Sequence, residues 1–167
     1  MNIEIVKANI ESWIENFVEV PHPALGGWPP CPYARSARLK QSYQITLGTD
    51  PYYDLANRAR WGLAGREVWI YVYNPAEWSH ELFAASIEQA NREHLLRRDL
   101  IALEDHPQDP EIVNGVSMNQ GQYAMALCQG LSDLNAKAKV MAQRGFYQNW
   151  PEQYLTGLFR HRQDPRQ

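Results

Sequence analysis

Five of the eleven prolines in this 167-residue chain lie between Pro21 and Pro32, and two glycines lie among them. Proline fixes its own backbone angle and lacks an N–H, so a segment of this kind neither continues a helix nor pairs within a sheet. Before it, apolar residues recur at spacings of three and four from Ile3 to Val18, which predicts an amphipathic helix over residues 3–19. The proline-rich segment is therefore predicted to be a stiff connector that ends this helix.

Downstream of the connector, apolar runs of strand length alternate with segments of helical periodicity. Strands are predicted over residues 41–49, 67–74, 99–106 and 122–131. Helices are predicted after caps at Asp50, at Ser79, at Ser132 or Asp133, and at Asn149. Four strands interleaved with helices indicate an α/β fold, an α+β sandwich with one sheet and helices mainly on one face. A ferredoxin-like arrangement is our first hypothesis, and the strand order stays open.

The length suits a single domain spanning residues 1–167, with a flexible tail from about residue 162. A net charge of -3 removes the simplest case for binding nucleic acid, which needs a basic face. No stretch approaches the roughly 20 apolar residues of a membrane span, so we expect no membrane partner. The N-terminus does not resemble a signal peptide, and two cysteines make a weak case for a disulfide framework. We therefore expect a soluble, cytoplasmic protein.

Cys31 is the strongest chemical candidate in the connector. It directly precedes Pro32, and proline is favoured at the first position of a helix, so Cys31 is predicted to cap a short helix. A thiol at that place would feel the positive end of the helix dipole, which favours the thiolate. The alternative is a small apolar residue that packs the turn, because free cysteine is often buried. Cys128 lies in an apolar strand and is predicted to belong to the core.

Positive charge follows Cys31 along the chain. Residues 31–66 hold six Arg or Lys against two Asp, a local net charge of +4. Arg35 and Arg38 are therefore candidates to hold an anionic small molecule beside the thiol. Trp28 precedes the thiol in the same segment and is a candidate wall of the pocket.

A second candidate site lies where the third predicted strand ends, at Glu104, Asp105 and His106. Strand alternation places Glu104 and His106 on one face and Asp105 on the other. A histidine beside carboxylates is suited to moving protons or binding a metal. A metal site of His22, His106 and Asp105 is a weaker alternative, because no paired-ligand spacing supports it. His80 and His94 are interpreted as surface histidines.

The loop after this strand, from Asn114 to Tyr123, is rich in amides and glycine. Its length favours a functional or mobile loop over a plain connection. Asn119 and Tyr123 are candidates to orient a polar ligand. The alternative is turn chemistry, since Asn-Gly and Gln-Gly pairs supply bends.

Three short stretches of the chain, WIENFV…PPCPYARSARL, ALEDHP and QYAMALCQGL, resemble a group of small bacterial and phage proteins without an assigned activity. That group shares a tryptophan in the first helix, a Cys-Pro-Phe/Tyr-Ala turn and a later strand that ends in His-Pro. The resemblance points to Trp13, Cys31, Pro32, Ala34, His106 and Pro107. The loop NGVSMNQGQY departs from the pattern. The resemblance implies a choice of site and carries no reaction with it.

Our leading hypothesis is thiol-dependent chemistry on an anionic small substrate. Cys31 would be the reactive thiolate, and Arg35 and Arg38 would hold the anion. His106, with Glu104 or Asp105, would donate and accept protons. The rival is a non-catalytic binding or accessory protein in which the CPYA turn is structural and the Trp28 region contacts a protein partner. The metal site is a third option. Whether the protein is an enzyme and which cofactor it uses stay open.

Overall fold

A computed structural model describes residues 1–167 and has a mixed sheet at its centre. The strands are β1 (Tyr43–Leu47), β2 (Val68–Tyr73), β3 (Leu100–Asp105), β4 (Ile112–Val113), β5 (Val116–Ser117) and β6 (Ala124–Gly130). The helices are α1 (Ile3–Trp13), α2 (Ala34–Leu39), α3 (Pro51–Trp61), α4 (His80–Ala90), α5 (Leu131–Gln143) and α6 (Glu152–Leu158). Single π-helical segments extend α1 over Ile14–Val18 and α4 over Asn91–Leu95. No helix is long and apolar enough to span a bilayer.

The four long strands are arranged in the order β1-β2-β6-β3. β1 and β2 are parallel and joined through α3, whereas β6 runs antiparallel to both β2 and β3. The predicted α/β class and four-stranded sheet are confirmed. The ferredoxin-like hypothesis is wrong, because that fold follows the order βαββαβ. Here two strand–helix units precede β3, and the β4–β5 hairpin leads into β6.

Helices cover both faces of the sheet, so the expectation of helices mainly on one face is also wrong. α3 and α4 pack on the face that carries Tyr71 and Tyr73, and α1 packs on the face that carries Ile70 and Val72. Both faces of β2 are buried, which explains why its sequence is apolar without alternation.

A third cluster of apolar residues lies under the C-terminal helices. It joins Leu25 of the proline-rich segment to Val113 of the hairpin and to Phe146, Trp150 and Leu155. The connector is therefore packed against the C-terminal region. Arg166 of the tail forms ion pairs with Glu152 and Asp164.

The helix boundaries show which predictions rest on local signals. α3 starts after its Asp50 cap and ends before Gly62, as predicted. The predicted cap of α5 is wrong: Gly130 is its N-cap, and Asp99, which is distant in sequence, accepts the Ser132 backbone N–H. The predicted Asn149 capping box is absent as well, because Pro151 precedes α6 without a side-chain cap.

Candidate functional site

The ends of two strands and the start of one helix meet at the same edge of the sheet. β2 and β3 are both antiparallel to β6, so they run in the same direction and their C-terminal ends share an edge. α4 follows β2 after a short loop and is capped by Ser79, which puts His80 in its first turn at that edge. β3 brings Glu104 to the same place, and the loop after it adds Asp109.

His80, Glu104 and Asp109 form a compact cluster of metal-ligating side chains. His80 Nε2 lies 3.3 Å from Asp109 Oδ2 and 3.7 Å from Glu104 Oε1. One ligand atom from each of the three residues lies within 4.8 Å of the other two. We call these three residues the HED cluster. All three side chains are partly exposed, so the cluster borders solvent.

The negative charge around the cluster is poorly compensated. Asp105 and Glu111 lie close to its two carboxylates, and no Lys or Arg forms an ion pair with any of the four acids. Burial raises the pKa of Glu104, and the nearby Asp109 and Asp105 raise it further, while His80 opposes them. Burial together with the same acids raises the pKa of Glu111 to about 7, although the Tyr154 hydroxyl donates a hydrogen bond to it.

Glu104 has an unpaired oxygen within this environment. Its Oε2 atom is buried and has no hydrogen-bond partner, while Oε1 faces His80. Buried carboxylate oxygens are normally hydrogen-bonded, and leaving one unpaired costs free energy. Glu104 is therefore the member of the cluster with a buried carboxylate oxygen that lacks a partner.

His106 lies beside the HED cluster but makes a different set of contacts. It is 1% exposed, and its ring lies 5.7 Å from that of His80. Its Nε2 donates to the Trp78 carbonyl at 2.9 Å, and its Nδ1 accepts the Gln108 backbone N–H at 3.1 Å. Both ring nitrogens are occupied, so His106 ties the loop to the start of α4 and leaves neither nitrogen free for a substrate proton.

Asp105 points to the other face of the sheet, as strand alternation predicted. Its two oxygens accept hydrogen bonds from Asn119 Nδ2 and from the Gln120 backbone N–H. Asn119 also donates to the Asp109 carbonyl and accepts from the Glu111 backbone N–H at 2.6 Å. Asn119, predicted as a ligand-binding residue, thus has its amide fully engaged in fixing the loop that carries Asp109.

Cys31 lies outside the helix that it was predicted to cap. α2 begins at Ala34 with Tyr33 as its N-cap, and Cys31 lies in the turn before it, where its backbone N–H donates to the Val18 carbonyl. Burial raises the pKa of the Cys31 thiol, although hydrogen bonds from the Tyr33 and Ala34 backbone and the charge of Lys137 lower it. The residue as a whole is exposed. The raised pKa stands against a favoured thiolate and the exposure of the residue does not, so the thiolate stays a prediction.

The arginines predicted beside Cys31 have other partners. Arg38 makes a bidentate pair with Glu19, at 2.9 and 2.6 Å, and also approaches Glu15. Arg35 is exposed and lowers the pKa of Glu19. Their positive charge is therefore directed towards α1 and its extension.

The remaining predicted residues are placed separately. Trp28 packs edge-on against Phe146, with ring centroids 5.8 Å apart, as part of the C-terminal core. Tyr123 accepts a hydrogen bond from Asn9 of α1. His22 Nδ1 caps a turn by accepting the Ala24 backbone N–H at 3.2 Å. The structure does not group His22 with His106 and Asp105.

The predicted Cys31–His106 pair is not joined by a hydrogen bond. Cys31 lies near Tyr33 and Tyr147 at the C-terminal core, whereas His106 packs against Phe83 under α4. Neither His80 nor Asp109 was predicted as a site residue, and His80 was assigned to the surface. Sequence reasoning missed them because it did not show that β2 and β3 run in the same direction. That shared direction places Ser79 and the start of α4 near the end of β3.

No protein-family model, curated protein or solved structure matches this chain.

Proposed function

We propose that this protein binds a divalent metal cation at the HED cluster. The observation that carries the proposal is the convergence of one imidazole and two carboxylates, one of which has a buried and unpaired oxygen. Imidazole suits Zn²⁺ and other late transition metals, while carboxylates also suit Mn²⁺ and Mg²⁺. A mixed set of this kind favours Zn²⁺ or Mn²⁺.

The spacing of the ligand atoms supports this assignment. Zn²⁺ binds nitrogen and oxygen ligands at roughly 2.1 Å, so two ligand atoms of a tetrahedral site lie roughly 3.4 Å apart. The distances from His80 Nε2 to Asp109 and Glu104 are 3.3 and 3.7 Å. An ion would therefore fit among these atoms with small side-chain movements.

The charge balance supports it as well. Four carboxylates lie near one another without a Lys or Arg ion pair, and a divalent cation would offset their repulsion. Three protein ligands leave coordination positions for water or for a small anion. The site would thus resemble centres that keep open positions for chemistry more than closed structural sites.

Metal titration of the purified, metal-free protein tests the proposal. We expect one Zn²⁺ or Mn²⁺ per chain, and at least a tenfold weaker Kd in Asp109→Asn and in His80→Ala. The matched control is His94→Ala, since the His94 side chain is 27% exposed, close to the 29% of His80, and lies outside the cluster. Absence of saturable binding, or equal affinity in Asp109→Asn and wild type, would refute the proposal.

The thiol hypothesis stays a prediction beside this proposal. Cys31 is surface-accessible as a residue, and hydrogen bonds from the Tyr33 and Ala34 backbone lower the pKa of its thiol. Against it stand the raised pKa of the thiol and the pairing of Arg38 with Glu19. We therefore place the metal proposal first.

A further inference from the structure

A shallow groove of about 370 Å³ runs along α1 on the opposite face of the sheet from the HED cluster. One wall is formed by Asn9, Ser12 and Asn16, and the other by Gln120 and Gln122. Its volume falls within the range of roughly 300–1,000 Å³ that is usual for small-molecule sites. No charged residue lines it.

The neutrality of the groove contrasts with the rest of the first helix. The lining residues Asn9, Ser12, Trp13 and Asn16 follow one another at spacings of three, one and three, so they share one face. The exposed positions elsewhere on this helix and its extension include three acids, Glu4, Glu11 and Glu15. A neutral stripe on an otherwise acidic helix suits a ligand without charge.

Two aromatic rings contribute an apolar surface to the groove. Trp13 and Phe17 are half-buried and stack with ring centroids 6.4 Å apart and planes 25° from parallel. The π-helical segment Ile14–Val18 begins between them. Aromatic rings beside amides suit a ligand with both C–H faces and hydroxyl groups.

The amide groups are held in place and still have unused hydrogen-bonding atoms. Asn9 donates its Nδ2 to Tyr123 and Asn16 donates its Nδ2 to the Ser12 carbonyl, so the Oδ1 atoms of both residues are free acceptors. Gln120 accepts the backbone N–H groups of Gln122 and Tyr123 with Oε1, which leaves Nε2 as a donor with only a 3.5 Å contact. Two acceptors on one wall of the groove are thus opposite a donor on the other wall.

We propose that this groove binds a neutral saccharide. A hydroxyl group both donates and accepts, so sugar hydroxyls can donate to the amide oxygens of Asn9 and Asn16 and accept from the Gln120 amide. The aromatic pair would pack against the C–H face of a sugar ring. The uncharged lining disfavours phosphorylated or acidic ligands, and the open shape disfavours lipids, which need an enclosed apolar cavity. The groove lies apart from the HED cluster, so failure of one proposal would leave the other unaffected.

Two-dimensional ¹H–¹⁵N NMR with cellotriose, maltotriose and chitotriose tests the proposal. The indole N–H of Trp13 is buried and has no hydrogen-bond partner, so its signal, once assigned with Trp13→Phe, reports on the ring against which the sugar would pack. We expect at least one of the three sugars to shift this signal and the side-chain amide signals of Asn16 and Gln122. Saturation is expected by about 10 mM, tenfold above a Kd of 1 mM.

Substitutions at exposed positions make the test specific. Asn16→Ala and Gln122→Ala should each weaken binding at least fivefold, whereas Gln153→Ala, an exposed glutamine on α6, should leave the Kd unchanged. Sialyllactose, an anionic sugar, should bind more weakly than the neutral trisaccharides. The proposal is overturned if none of the three neutral sugars shifts the Trp13 signal, if Asn16→Ala binds as wild type does, or if only sialyllactose binds.

Discussion

The end of β3 and the Cys31 segment both place reactive residue types beside charged ones in the sequence, yet they differ in the folded protein. At the end of β3, the carboxylates are gathered with one histidine and without basic partners. Near Cys31, the predicted arginine Arg38 has paired with Glu19, and burial raises the pKa of the thiol. Proximity in sequence therefore does not show which charges remain uncompensated after folding, and our proposal rests on the uncompensated ones.

The largest expected effect is the loss of stability in His106→Ala. It distinguishes a structural role of His106 from a role in proton transfer. We expect His106→Ala to lower the free energy of unfolding by about 2–4 kcal/mol, since it opens a cavity and leaves the Trp78 carbonyl and the Gln108 N–H unpaired. Chemical denaturation measures this loss. His94→Ala is the matched control, with an expected loss below about 1 kcal/mol.

The same variant also probes the predicted pair with Cys31. Under conditions in which His106→Ala stays folded, we expect the pH profile of iodoacetamide labelling at Cys31 to match that of wild type. A shift of this pH profile in His106→Ala would instead show that the Cys31 thiol and the His106 imidazole are coupled. The Cys31 segment would then be a stronger site candidate than the contrast above indicates.

A second effect concerns stability in the presence of metal. A ligand at 100 times its Kd stabilises a protein by about 2.7 kcal/mol, which corresponds to roughly 5–10 °C in Tm for a chain of this size. We expect Zn²⁺ or Mn²⁺ to raise the Tm of wild type by that amount and to leave the Tm of Asp109→Asn nearly unchanged. Thermal unfolding followed by circular dichroism measures both. An equal rise in the two proteins would place the ion elsewhere.

A third effect concerns Cys31 alone. Because its pKa is raised, the thiolate fraction at neutral pH is smaller than that of a free thiol, and labelling should be several times slower than that of glutathione. Mass spectrometry of the alkylated protein measures the rate, with Cys31→Ser showing whether buried Cys128 contributes. Labelling faster than glutathione near pH 6 would support the thiol hypothesis instead.

The smallest expected effect concerns the ion pair between Arg38 and Glu19, which engages an arginine predicted to hold an anion beside Cys31. Arg38 holds the pKa of Glu19 below its ordinary value, so the pair stabilises the protein above the unfolded-state pKa of about 4.5. This contribution is lost as the pH falls through the lower folded-state pKa. Glu19→Gln should be slightly less stable than wild type near pH 7, and the difference should vanish in acid. A difference that persists at pH 2 would mean that the ion pair is not its cause.

Local signals in the sequence were sufficient for much of the fold. The Asp50–Pro51 cap and Gly62 bound α3 because all three act within a few residues of the helix. The cap of α5 was missed because Asp99 reaches it from another part of the chain. His80 and Asp109 were missed for a related reason: their meeting depends on the strand order β1-β2-β6-β3, which no local pattern contains.

The most direct test is a crystal structure of the protein with Zn²⁺, measured at the zinc absorption edge. We expect one strong anomalous peak roughly 2.1 Å from His80 Nε2, with Glu104 and Asp109 oxygens at similar distances. An anomalous map without a peak in the HED cluster, or with its main peak at His22 or His94, would contradict the metal proposal.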